Sequence, residues 1–256
     1  MQITEKNVNF TRIRRLYMKD SNIKDSLNYG REILNRQDQL DQYLFSYGLM
    51  VSSQWDEMLK DFKLRKNKLD IVDYGCGQGL ATIKIFDCLI SSDPEELEYN
   101  VRKEINCVGN NLSGVSNINL IEPSEVALSR AYDIFKYYGY GSSSKLIRIN
   151  KRFDDLHLSD LNFSESAIKL HIFSNVLDIE SFDQFALINK ALALKGTHWI
   201  AAVSPSRDFL GGDRRLVETY KKILESYKYG IKKQKKWKFK DSKNRTHIAF
   251  WISIEV

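Results

Sequence analysis

The run Val72-Asp73-Tyr74-Gly75-Cys76-Gly77-Gln78-Gly79 sets three alternating glycines directly behind a short apolar stretch that ends in an acid. Glycine permits positive φ and lets the atoms of another molecule lie against the backbone. One glycine suffices for a tight strand-to-helix turn. Three in alternation point instead to a ligand at the carboxyl end of a strand, where open α/β sheets bind them. A second stretch, INLIEPSEVALSRA (118–131), reads as a buried strand ending in Glu122, followed by a helix that Ser124 can cap. A carboxylate at that position can accept both hydroxyls of a ribose. Asp154 and Asp155 follow a third strand-like run, where they could hold a ligand or cap a helix starting near 158. Ser174, Asn175 and Asp178 follow a fourth.

The elements that must position these residues alternate along the chain. The runs LDIVDY (69–74), INLIE (118–122), KLIRIN (145–150), IKLHIFS (168–174) and HWIAAVS (198–204) have strand character. Helical stretches lie between them near 80–92, 124–137 and 182–195, with apolar faces such as Leu128, Ala131, Ile134 and Phe135. Alternation of this kind implies βαβ units and a parallel sheet. A helix near 214–228 is followed by IKKQKKWKF (231–239), a break at 241–245 and THIAFWISIEV (246–256), which read as an antiparallel hairpin. The expectation is an α/β fold: a mostly parallel, seven-stranded Rossmann-like sheet with an antiparallel C-terminal hairpin, flanked by helices. Residues 1–66 form a helical extension and residues 67–256 the main domain. Within the extension, Tyr43, Tyr47, Met50, Val51, Trp55, Met58 and Leu59 make an apolar stripe, and Gly48 marks a bend. Packing on the main domain is the preferred role for that stripe; a lid over a pocket is the sharper one.

The glycine spacing separates two kinds of ligand. A dinucleotide loop reads GxGxxG and seats a pyrophosphate on the following helix. Here the spacing is GxGxG, with Asp73 two residues ahead. This resembles motif I of the class I S-adenosylmethionine-dependent methyltransferases, and the resemblance extends over most of residues 69–256. It implies S-adenosylmethionine as cofactor and in-line methyl transfer. It implies that Gly75, Gly77 and Gly79 lie against the donor and that Asp73 fixes the loop or the donor's amino group. Glu122 then holds the ribose and Asp154, or equally Asp155, the adenine. Ser174 and Asn175 sit where donor and acceptor meet, and Asp178 is the candidate base if the acceptor must lose a proton. There is no [DNS]PP[YFW] tetrapeptide and no Pro-Cys nucleophile motif. The first and second strands are widely separated. DPEELEYNVRKEI (93–105) is expected to add a helix and 106–117 a polar loop, with Asn110 and Asn111 as the alternative ribose partners if the second strand runs through 105–109.

Composition bounds the rest. The 256 residues are 43% hydrophobic and 12% aromatic, which suits one sizeable core. No apolar run is long enough for a transmembrane helix, and the charged N-terminus is unlike a signal peptide. Cys76, Cys88 and Cys107 form no CxxC pair, so a reduced, cytoplasmic setting is expected, and the four histidines show no metal-ligand spacing. The net charge of +6 is concentrated. Residues 221–245 hold ten lysines and Arg245 against Glu225 and Asp241, a net +9, so the remainder carries −3. Within that segment Lys232, Lys233, Lys235, Lys236, Lys238 and Lys240 interleave with Trp237 and Phe239, a footprint suited to nucleic acid. Lysines on an edge strand also block sheet-to-sheet aggregation. The leading expectation is a methyltransferase acting on nucleic acid, RNA by preference, with a small molecule or a protein as the other acceptors. An NAD-dependent oxidoreductase and a non-catalytic binding module are the competing classes.

Overall fold

The computed structural model of the chain describes residues 3–4, 7–61, 68–90, 112–141, 145–206 and 211–256. The expected helix at 93–105, Cys107, Asn110 and Asn111 lie outside the described residues.

Seven strands form one sheet in the order β3-β2-β1-β4-β5-β7-β6. They are β1 (Leu69–Tyr74), β2 (Val115–Ile121), β3 (Leu146–Ile149), β4 (Ile168–Ser174), β5 (Thr197–Pro205), β6 (Ile231–Lys240) and β7 (Thr246–Glu255). The first five are parallel. β7 runs antiparallel to both β5 and β6. All six residues of β1 are buried, as a strand covered on both faces requires.

Two layers of helices cover the sheet. On one side α1 (Phe10–Tyr17), α2 (Gln37–Asp61), α3 (Leu80–Ile90) and α4 (Glu125–Lys136) enclose a core built around Trp55, Met58, Phe86 and Phe135. On the other, α5 (Gln184–Ala191) and α6 (Gly212–Ser226) pack Leu187, Ile188, Leu216 and Ile223 against Val72, Phe173 and Phe250. The α2 stripe is buried as expected, except that Tyr43 is only half-covered. α2 continues unbroken through Gly48. A Cβ there would lie 3.0 Å from Arg14 Nε, and this guanidinium donates to the Leu44 carbonyl at 3.1 Å, so Gly48 makes room for a cross-helix arginine.

β2 begins three residues earlier than its apolar run suggests. Asn117 and Asn119 disguise it. Both are buried, and the Asn117 amide donates to Asp70 at 2.8 Å while that of Asn119 donates to the Asn162 carbonyl at 2.9 Å. Asp70 of β1 and the loop residue Asn162 satisfy these polar side chains, so the strand continues through them. Residues 18–36 depart more from expectation, with one short 3-10 segment, Lys24–Gly30, in place of a regular helix.

The strand order reverses between β1 and β4. Loops leaving those two strands diverge there, which opens a crevice at their carboxyl ends. The glycine loop, Glu122 and residues 174–182 all surround this crevice.

Candidate functional site

The crevice is a cavity of about 220 Å³. Gly75, Gly77, Glu122 and Asn175 line it from the sheet side, and Phe153 and Phe182 from the loops. The loop after β1 is anchored to β2 through Cys76 N–H on the Ile121 carbonyl at 3.0 Å. It turns on Gly79 N–H to the Cys76 carbonyl at 2.7 Å, which delivers the chain into α3.

All three glycines have positive φ, but they serve different ends. A Cβ on Gly77 would meet nothing within 4 Å, so this residue faces open space in the cavity. On Gly75 it would lie 2.9 Å from Val176 Cγ2 and 3.3 Å from Phe153 Cζ, in the cavity wall. On Gly79 it would lie 2.8 Å from Phe135 Cε2, inside the interface of α3 with α4. Gly79, expected to touch a ligand, instead lets two helices meet.

Glu122 stands one residue past β2 and is buried. One carboxylate oxygen accepts Gly77 N–H at 3.0 Å and the other accepts Ser124 N–H at 2.9 Å. Burial raises its carboxyl above the ordinary range, and the two N–H donors oppose that shift. The same side chain therefore fixes the glycine loop, caps the turn into α4 and keeps lone pairs for a ligand.

Asp73 lies beneath the loop rather than on the cavity. Its Oδ2 accepts Thr82 Oγ1–H at 2.8 Å, and its buried Oδ1 has no partner among the described residues. Burial pushes its carboxyl up to about 7, against the Thr82 bonds and with a small push from Glu122. In the unfolded chain this group ionises near pH 4. Between pH 4 and 7 the folded state holds the extra proton, so stability falls as pH rises through that window and levels off above 7. Asp73→Asn removes the titration. Urea denaturation of the two proteins should show the parent losing up to about 4 kcal/mol relative to the variant between pH 4 and 7. A pH-independent difference would contradict this assignment.

Ser174 and Asn175 line the cavity at the end of β4, and both are gripped by α2. Trp55 Nε1–H donates to Ser174 Oγ at 3.0 Å. Gln54 and Asn175 form a reciprocal amide pair at 2.9 and 3.2 Å, and Asn175 is held at φ 60. The orientation of Gln54 is fixed from behind. Asp241 can only accept, so His247 Nε2 carries the hydrogen between them at 3.1 Å. Nδ1 is left to accept from Gln54 Nε2 at 3.1 Å.

Two expectations change. Asp178 does not line the cavity. It is buried behind it, with Ser204 Oγ donating to its carboxylate at 3.1 Å, and so cannot be the base that meets an acceptor. Asp154 does line the cavity, in an exposed position beside Phe153. Neither Asp154 nor Asp155 caps the following turn, Leu158–Asp160; there the Asp160 carboxylate accepts His157 N–H at 2.8 Å.

The α2 stripe, for which a lid was the sharper expectation, contributes Tyr43 and Val51 to the cavity, but no pattern in the sequence marks the wall that precedes them. Arg31, Ile33, Leu34, Leu40 and Tyr43 close the cavity from the N-terminal side. This wall is latched to the loops it covers. Gln78 Nε2 donates to the Leu40 carbonyl at 3.0 Å, Ser124 Oγ donates to the Leu34 carbonyl, and Arg130 bonds Asp41 at 2.6 Å as well as Gln37. The extension thus packs through α2 and walls the site through residues 31–43. No periodic pattern marks residues 18–36; only the buried polar partners Gln78 and Arg130 hint at a neighbour.

No family model and no curated protein matches the chain. Among solved structures it is similar to M. jannaschii TYW2 in complex with AdoMet, with 16% identity over 80% of this chain and 76% of that one and a TM-score of 0.46. It is also similar to the plantazolicin methyltransferase BpumL in complex with SAH, with 12% identity over 95% and 94% and a TM-score of 0.49. A third is a SAM dependent methyltransferase from Aquifex aeolicus, with 12% identity over 97% and 100% and a TM-score of 0.46. Strand number, strand directions and the flanking helices agree with the expected mostly parallel, seven-stranded Rossmann-like sheet and its antiparallel C-terminal hairpin. The cavity occupies the point of strand-order reversal. Among the described residues there is no helix long and apolar enough to cross a membrane and no cluster suited to a metal ion.

Proposed function

We propose that the protein is an S-adenosylmethionine-dependent methyltransferase whose donor site is this cavity. The observation that carries the reading is Glu122. Its carboxylate is pinned by two backbone N–H groups at a cavity wall and keeps lone pairs for two hydroxyl donors. The surrounding donor set fits a nucleoside. Pro123, Phe153 and Val176 offer apolar faces for a base, Asp154 stands at the edge, and Gly77 leaves the backbone bare. When bound, S-adenosylmethionine supplies a methyl group made electrophilic by its sulfonium. The chain's residues align and shield: Glu122 and Gly77 hold, and the wall of residues 31–43 excludes water. Alignment of this kind is worth roughly 7–11 kcal/mol of barrier. Residues 1–66 act as a covering extension of a catalytic unit spanning 67–256. Thermal shift with S-adenosylmethionine, S-adenosylhomocysteine and NAD tests the reading. Both sulfur nucleosides should raise the melting temperature and NAD should not; stabilisation by NAD alone would move the chain to the oxidoreductases.

For the acceptor we favour a nucleic acid, RNA first. β6 is the edge strand, all six of its lysines are exposed, and it runs in the same direction as β5, so Lys238 and Lys240 lie at the cavity end of the sheet. Several are already engaged: Lys238 bonds Asp213, and Lys235 and Lys236 lie over the rings of Trp237 and Tyr220. Trp237 is half-buried in the core face of the sheet, so phosphate contact rather than stacking is the contribution expected of this strand. Changing Lys232, Lys233 and Lys240 together to Glu should weaken binding of a single-stranded RNA by at least about tenfold. It should also lower the salt slope by about 2. Equal affinity and slope in parent and variant would leave these lysines with edge protection alone.

A further inference from the structure

Arg31 reaches the cavity by an unusual route. Asn28, Tyr29 and Gly30 are three successive left-handed residues, with φ of 42, 57 and 82. Non-glycine residues in that region persist only where their surroundings hold them, and they gather at functional sites. Gly30 cannot be replaced without movement, because a Cβ would lie 2.9 Å from Tyr43 Cε2. The turn brings Arg31 into the cavity wall.

The guanidinium delivered there is poorly matched. Its one hydrogen bond among the described residues is a long one, Nη2 to the Asp178 carbonyl at 3.4 Å. That carbonyl already accepts Arg215 Nη2 at 2.7 Å and Arg215 Nε at 3.2 Å. Arg31 Nε is buried with no partner among the described residues. The neighbouring Glu32 is taken by the Asn28 amide at 3.0 Å. Arg31 makes no ion pair among the described residues, although a buried arginine N–H without an acceptor is costly and its planar fork suits a carboxylate or a phosphate.

We propose that Arg31 is an oxyanion-binding residue of the cavity, taking a carboxylate or phosphate group of a bound ligand. Two sources share that chemistry. One is the α-carboxylate of the methyl donor, and this arm rests on the methyltransferase reading. The other is an oxyanion on the acceptor, and this arm does not depend on which donor binds.

Calorimetry on the full chain and on Arg31→Ala separates them, with melting temperature and circular dichroism to verify that the variant folds. The probes are S-adenosylhomocysteine, 5′-methylthioadenosine, which lacks the amino-acid carboxylate, and inorganic phosphate. If Arg31 holds the donor carboxylate, the variant binds S-adenosylhomocysteine at least tenfold more weakly and methylthioadenosine within twofold of the parent. If it holds an acceptor oxyanion, both nucleosides bind unchanged and the parent alone binds phosphate. The proposal is overturned if all three probes behave alike in parent and variant, or if both nucleosides weaken equally. Failure of the parent to bind either nucleoside would instead count against the donor reading, and the phosphate comparison would still decide the role of Arg31.

Discussion

Replacing Glu122 by glutamine is expected to weaken S-adenosylhomocysteine binding by about a hundredfold while leaving the fold intact. In the parent, the two carboxylate oxygens already accept Gly77 N–H and Ser124 N–H. A ribose adds two further donors, and only an ionised carboxylate has lone pairs for all four. Glutamine keeps the shape but offers one accepting oxygen. It leaves one backbone N–H short of a partner and presents its own N–H₂ to a hydroxyl. Hydrogen bonds to a charged group contribute about 1.5–3 kcal/mol each, so two weakened bonds amount to roughly two orders of magnitude or more. Stability should change little, because the neutral amide escapes the burial that raises the carboxyl of Glu122, and this offsets the backbone bond that is lost. Calorimetric titration of parent and variant checks the affinity, and equal dissociation constants would show that Glu122 serves the loop alone.

The second large effect separates glycines that look equivalent in the motif. Gly79→Ala should lower stability by about 2–5 kcal/mol. A left-handed alanine costs about 1–2 kcal/mol, and forcing a methyl into a packed core costs about 1–3. The obstacle is Phe135, which is fully buried and set edge-on to Phe86 at 5.4 Å between ring centres, so it cannot yield. In a domain of this size the melting temperature should fall by about 4–20 °C. Gly77→Ala meets nothing within 4 Å and carries only the conformational cost, about 1–2 kcal/mol. Its methyl enters the space where the nucleoside is to lie, so ligand affinity should fall at least tenfold. Differential scanning calorimetry and ligand titration on the two variants therefore give opposite rankings. Equal destabilisation by both would contradict the division of labour drawn from their surroundings.

Much of this site was legible in the sequence because its signals are local. β1 and β4 begin and end where their apolar runs do, since both are buried on two faces and carry their pattern within six or seven residues. Glu122 was legible because a strand, an acid and a capping serine follow one another directly. Gly79 was assigned to a ligand because spacing cannot tell a glycine that admits a nucleoside from one that admits a phenylalanine 56 positions away. Asp178 failed for a similar reason: its partner Ser204 comes from the next strand. The pairing of Gln54 with Asn175 joins residues 121 positions apart and leaves no periodic trace. The wall around Arg31 was missed altogether, because an irregular turn held by left-handed residues has neither a strand nor a helix period.

The most direct test of the whole account is a crystal structure of the protein with S-adenosylhomocysteine. The account predicts the ribose hydroxyls within hydrogen-bond distance of Glu122, the adenine against Phe153 beside Asp154, and the ligand backbone across Gly77. A nucleoside bound elsewhere, or Glu122 still bonded to Gly77 and Ser124 alone, would contradict it.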